Sequence, residues 1–215
     1  MERTITVKGT GRVSLPPDLT AVTMTLKSLD KDYDAAMAAA SARLRALETA
    51  LAAVGFAKEE LKTVSFNVCT EQEGIQDERG NYRTVFAGYA CLQTLQLEFD
   101  FDTARLSRVL SAVSKSAAEA ELNVRFTVRD TEAVNRELLE SAARNARAKA
   151  EILTAASGAA LGELVRIDYH WDELNTFSRT DYAVEKRCMA MGCNVEMTPA
   201  DVEVSDNATF TWELA

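Results

Sequence analysis

The chain opens with apolar residues at every second position. Ile5, Val7, Val13 and Leu15 share one parity, with Gly9 and Gly11 between them. Period-two alternation rich in Thr and Val predicts a strand. The glycines predict either a bulge or a close approach of another segment to the main chain. Pro16-Pro17-Asp18 reads as a turn. Ala21, Val22, Met24, Leu26 and Leu29 then predict a second strand, so residues 4–29 read as a hairpin-type pair.

From Asp32 the period changes. Tyr33, Met37, Ala40, Leu44, Leu47, Leu51 and Val54 recur at steps of three and four, the spacing of one helix face. Alanine enrichment favours the helix and Gly55 supplies its stop. Strand-like flanks predict that this face packs on a sheet rather than in a coiled coil. Val64, Phe66 and Val68 predict a third strand, and polar residues 71–81 a hairpin tip. The return arm runs from near Tyr82 to Phe101, and its alternation slips at Ala90, Cys91 and Leu92. Such a slip predicts partial burial on both faces, or a crossing between sheets.

Asp102 is placed to cap a helix with Leu106, Val109, Leu110, Val113 and Ala117 inward. Leu122, Val124, Phe126 and Val128 form a clean strand. Asp130 or Thr131 then caps a long helix carrying Val134, Leu138, Ala142, Ala146 and Leu153, ended by Gly158. Residues 88–158 therefore read strand–helix–strand–helix. A strand from Leu164 to Tyr169 follows, and Val202, Val204, Phe210, Trp212 and Leu214 predict a long final strand after Pro199. The fold class is α+β, with two-layer antiparallel sheets and long helices on one face. The expected division is a discontinuous lobe, residues 1–87 and 159–215, around an inserted βαβα lobe, residues 88–158.

Composition narrows the function classes. The 215 residues are 47% hydrophobic and 27% charged, with a net charge of −9, which opposes binding to nucleic acid or anionic membrane. No run approaches the ~18–20 apolar residues of a membrane span. The N-terminus enters a strand pattern without the apolar core of a signal peptide. A cytosolic location is expected for the sequence as written, and a periplasmic or secreted one for a mature form whose leader has been trimmed. In the cytosol Cys69, Cys91, Cys188 and Cys193 are expected as thiols. An oxidising setting would allow Cys188 and Cys193 to pair.

Each candidate chemistry lacks parts. His170 is the single histidine. With Cys188 and Cys193 it could ligate a metal, but Asp172 or Asp181 would have to complete the set and no second Cys pair exists. The same residues as ordinary thiols beside a strand-end histidine are the plainer reading. No Ser stands in a Gly-x-Ser-x-Gly elbow. Gly9-Thr10-Gly11 lacks the third glycine and the helix of a dinucleotide loop, and the Gly-Lys-Ser/Thr of a P-loop. The acidic residues near the predicted hairpin tip and at Asp168, Asp172 and Glu173 read as solvated surface. Arg136, Arg144, Arg147 and Lys149 alternate with Glu132, Glu137, Glu140 and Glu151, which reads as a salt-laced helix face. No catalytic set and no cofactor site are found. Residues 171–199 lack a period and collect Trp171, Phe177, Tyr182, Met189 and Met191, which are interaction candidates because such side chains adapt to partners. The plain alternative is a loop folded over its own sheet.

The order of these features resembles the SIMPL-domain (YggE-like) family. The segments that carry the likeness are ITVKGTGRVSLPPDLTAVTMTL, AGYACLQTLQLEF, ARNARAKAEILTAASGAALGELVRI and MTPADVEVSDNATFTWEL, together with the Ala-rich helix ending at Gly55. They span nearly the whole chain. The resemblance implies an α+β fold with an inserted ferredoxin-like lobe, frequent export in bacteria, and a loose association with stress responses. It carries over no catalytic residue. The expectation is a non-enzymatic protein acting as a homo-oligomer or by binding a protein partner. The alternative is a small-ligand or metal-binding protein using an inter-lobe cleft or the 170–193 loop.

Overall fold

The computed structural model describes residues 3–76, 82–170, 174–180, the main chain of 182–183, and 197–215. In chain order the elements are β1 (Thr4–Leu15), β2 (Leu19–Asp30), α1 (Tyr33–Ala52), β3 (Lys62–Gln76), β4 (Tyr82–Asp100), α2 (Thr103–Lys115), β5 (Glu121–Thr127), α3 (Thr131–Ala156), β6 (Leu161–Asp168), β7 (Tyr182–Ala183) and β8 (Val202–Leu214). The strands form two sheets, ordered β1-β8-β6 and β3-β4-β2-β5-β7. The protein is α+β.

Two compact units result. One holds residues 1–18, 126–180 and 199–215, the other 19–125 and 181–198. These limits differ from the expected boundaries at 87/88 and 158/159. β4 runs unbroken through residue 87, with β3 paired to it on both sides of that residue and β2 paired to Tyr89–Asp100, so strands before the expected boundary are tied to residues beyond it. The hairpin expected over residues 4–29 is also absent. β1 pairs with β8 along its whole length, from Thr4 opposite Glu213 to Leu15 opposite Val202. Pro16 and Pro17 hold the connector extended and offer no N–H. Asp18 then fixes its end, with N donating to Thr127 O at 3.1 Å and Oδ1 accepting from Arg129 N at 2.8 Å.

In the first unit α3 lies on β1 and β8. Asp130 Oδ1 caps it by accepting from Ala133 N at 2.8 Å. Its buried row is Val134, Leu138, Ala142, Ala146, Ala150 and Thr154, a repeat of four that leaves Leu153 exposed, against expectation. The side chains shrink to alanine along the part of this row that faces Gly9. A Cβ on Gly9 would overlap the Ala142 carbonyl oxygen and sit 2.8 Å from Ala146 Cβ; one on Gly11 would overlap the Leu138 carbonyl oxygen. Of the two roles the glycines allowed, close approach is the one used, and the β1–β8 register passes them without a shift. Val7, Ala208, Phe210 and Trp212 pack with Ala146 and Ala150 on one side, and Val13, Val202 and Val204 with Val134 and Leu138 on the other. Phe210 and Trp212 stack at 5.7 Å.

In the second unit the helices cover one face of the five-stranded sheet. Asp32 Oδ1 caps α1 through Ala35 N, and Asp102 Oδ1 caps α2 through Ala104 N and Arg105 N. Ala36 and Ala40 of α1 pack on Cys91, whereas Tyr33 stays half-exposed. Further along β4, Phe99 meets Phe56, and the Arg105 guanidinium stacks 4.3 Å over the Phe56 ring. The slipped alternation in β4 is resolved as burial on both faces, with Ala90 and Cys91 each 1% exposed, and the strand stays in one sheet.

Replacing Gly11 by Ala is expected to lower stability by about 3 kcal/mol or more, since a backbone carbonyl cannot move out of the way as a side chain can. Gly74→Ala, at a position with open space around it, serves as the control in urea unfolding. Equal midpoints for the two variants would contradict the close-packing account.

Candidate functional site

The face of the three-stranded sheet turned away from α3 is polar because β1 and β8 alternate strictly. Thr6, Thr10, Arg12 and Ser14 stand opposite Thr211, Asn207, Ser205 and Glu203. Cross-strand bonds join Thr6 to Thr211 at 3.0 Å and Thr10 Oγ1 to Asn207 Oδ1 at 2.9 Å, while Ser14 Oγ donates to Asp201 Oδ2 at 3.2 Å. A groove of about 480 Å³ opens here, lined by Arg12, Ser14, Arg179, Glu203 and Ser205. Arg179 comes from the 174–180 segment and pairs with Glu203 at 3.2 Å. Arg12 makes no ion pair among the described residues. It also borders a second hollow of about 410 Å³, with Thr10, Ser141, Asn145 and Lys149.

That second hollow marks how one sheet edge is closed. β1 is an end strand, and its outward main-chain groups would otherwise be free to pair. Asn145 Oδ1 accepts from Thr10 N at 3.0 Å, and Lys149 Nζ donates to Lys8 O at 3.1 Å. The two α3 side chains, one turn apart, thereby occupy the β1 edge. The other end strands are dressed differently. β6 exposes Leu164 (48%), Val165 (54%) and Ile167 (54%). In β3, Val64 (59%), Phe66 (46%) and Ile75 (43%) are exposed, and the distal part of β4 adds Tyr82 and Phe86. Ion pairs sit beside these patches. Lys27 Nζ donates to Glu71 Oε1 at 2.8 Å, a hydrogen bond that raises the ammonium pKa above its ordinary value. Arg166 is raised likewise by its bond to Asp168.

The residues singled out by sequence are only partly placed. His170 is exposed just after β6. Cys188, Cys193, Trp171, Met189 and Met191, with Asp172 and Asp181, lie outside the described residues. Among the described residues no group of three or more metal-ligating side chains comes together. Tyr182 is described by its main chain alone, which pairs with Val124. Phe177 forms an isolated bridge with Thr127, and its segment is held down at Ser178, whose N donates to Phe126 O and whose Oγ donates to Ala200 O, both at 2.7 Å. No helix among the described residues is long and apolar enough to cross a membrane.

The sequence matches the model of the SIMPL family, described as a protein of unknown function (DUF541), over residues 5–212. The chain belongs to the SIMPL family. A comparison with curated proteins finds no match.

One buried polar group in this SIMPL chain escaped the sequence reading. Asp206 occupies the inward row of β8, between Val204 and Ala208, and is 9% exposed. Its Oδ2 accepts from Tyr169 OH at 2.9 Å and its Oδ1 from Asn207 N at 2.7 Å. The signal was present as a polar residue breaking the series Val202, Val204, Ala208, Phe210 and Trp212 at an inward position. Burying a carboxylate is costly unless it is hydrogen-bonded. Tyr169→Phe is therefore expected to cost roughly 1–3 kcal/mol. Asp206→Val combined with Tyr169→Phe should recover most of that loss, because no polar partner is then stranded. Chemical denaturation of the single and double variants decides this, and strictly additive losses would contradict it.

Proposed function

We propose that this SIMPL protein is non-enzymatic and works by associating with a second copy of itself, with a role in stress responses as the family resemblance implies. The observation that carries the reading is where the apolar exposure falls. Large apolar side chains that face water concentrate on the end strands β3 and β6 and on the β4 arm beside β3. Singly scattered apolar residues would need no explanation, whereas rows along open strand edges are surfaces suited to pairing. The ferredoxin-like lobe, expected over residues 88–158, fits the elements of residues 19–125 instead. There the order β2-α1-β3-β4-α2-β5 accompanies the strand order β3-β4-β2-β5, the split βαβ pattern. Light scattering on chromatographed protein should give a mass above one chain that rises with concentration. A strictly monomeric mass at the highest concentration, with nothing retained in pull-downs, would sink the proposal.

A second reading rests on the groove. Arg12, with no ion pair among the described residues, offers its guanidinium fork beside the Ser14 and Ser205 hydroxyls, a donor set that suits a small carboxylate or phosphate. On this reading an anion raises the melting temperature of the native chain and leaves that of Arg12→Ala unchanged. Equal shifts in both proteins would discard it.

A further inference from the structure

The β3 edge has a property that specifies its occupant. The β3–β4 register is irregular between Thr63 and Ser65 and again between Glu71 and Gln72, but regular through the seven residues from Ser65 to Glu71. Within that stretch all but Val68 and Glu71 are exposed. It contains no proline, lysine or arginine, and its one charge, Glu71, already holds Lys27. Apart from Glu71, the stretch between the two irregularities carries none of the charged residues or prolines that keep an edge from pairing. At the other end of the same sheet β7 pairs with β5, so among the described residues β3 is the long strand left with one side open.

We infer that the occupant is the same stretch of a second copy, added antiparallel about a two-fold axis through Val68. The inference rests on the self-association reading above and names its surface. A two-fold perpendicular to the sheet keeps each residue on its own face. Phe66, Val68 and Thr70 follow the helix-covered face, opposite Gln93, Cys91 and Tyr89 of β4, while Ser65, Asn67, Cys69 and Glu71 follow the other. The axis sets Val68 against Val68, Phe66 against Thr70, Asn67 against Cys69, and Ser65 against Glu71. Apolar side chains stay on one face and no like charges oppose each other. A slip of one residue would set the two faces against each other. A slip of two would carry one end of the pairing into an irregular position. A net charge of −9 opposes approach of a second copy, and a stretch whose one charge is an ion-paired Glu71 adds little to that opposition.

Ser65 makes the register testable, since it is exposed and faces Glu71 of the other copy twice per dimer. In the full-length chain, Ser65→Lys is expected to tighten the dimer and Ser65→Glu to loosen it. Each should change the dissociation constant roughly three- to ten-fold, from two cross-strand charge pairs. Sedimentation equilibrium reads the constants, and thermal unfolding confirms that both variants fold. Opposite shifts support the pairing. A dimer indifferent to both substitutions, or shifted the same way by both, overturns the β3 interface and leaves self-association standing. A monomer in all three proteins overturns both.

Discussion

The first unit is organised by a contact in which neither partner has a side chain to spare. Helix α3 approaches β1 so closely at Gly9 and Gly11 that the Ala142 and Leu138 carbonyls occupy the space where Cβ atoms would be. Such an approach needs small residues on both sides, and α3 answers with Ala142, Ala146 and Ala150. Several consequences follow from that proximity. Asn145 and Lys149 are brought within hydrogen-bonding distance of the β1 edge. Larger side chains are displaced to either end of the contact, where Trp212 and Phe210 fill one space and Leu138 and Val134 the other. Burying each of these large side chains contributes on the order of 1.5–3 kcal/mol. The glycines therefore act less as flexible points than as a shape that the helix fits.

Local structure was legible because it is written in periods and caps. The α2 stripe from Leu106 to Val113, the Asp102 and Asp130 caps and the strand parities of β1 and β8 all depend on residues close in sequence. Pairing partners were not legible. β1 joins β8 across almost the full length of the chain, and an alternating row carries no label saying which other row it meets. The nearest strand in sequence was the natural choice for β1, and Pro16-Pro17 looked like its turn. The difference in unit limits has the same origin, because β4 pairs with β2 and β3, which precede it. The Leu153 error is different. The expected row kept Ala142 and Ala146 but ended on the large apolar Leu153, whereas the helix continues its repeat of four through the smaller Ala150 and Thr154.

The candidate surfaces show a related asymmetry. Arg12 and Arg179 are distant in sequence, so no spacing could join them in one groove. Asp206 was readable in principle, as a polar residue on the inward parity of β8, but an interrupted alternation passes easily for noise. His170 and the aromatic and methionine residues of the 171–199 segment drew notice through residue type alone. That criterion names reactive or adaptable side chains without saying what lies next to them, and where Phe177 is described its segment is fastened to its own unit through Ser178.

Edge chemistry gives a more discriminating criterion than residue type, because unpaired main-chain groups are an obligatory property of any open sheet. The same protein treats its edges in different ways. β1 is closed by two side chains that reach it from α3. β6 keeps an open side but is broken by two irregularities in eight residues, which twist a strand away from regular pairing. Among the described residues β3 alone combines an open edge, length, a regular central stretch and apolar exposure. Were edge exposure only a tolerated defect, the longest edge would be the one most in need of a guard, and a lysine or proline within Ser65–Glu71 would supply it at little cost to the strand. The stretch instead holds Phe66 and Val68 on one face and uncharged polar residues on the other, except at Glu71. That pattern disfavours a role as idle surface and favours one as half of an interface, which is why the function of this SIMPL chain is best sought along β3 rather than in a pocket.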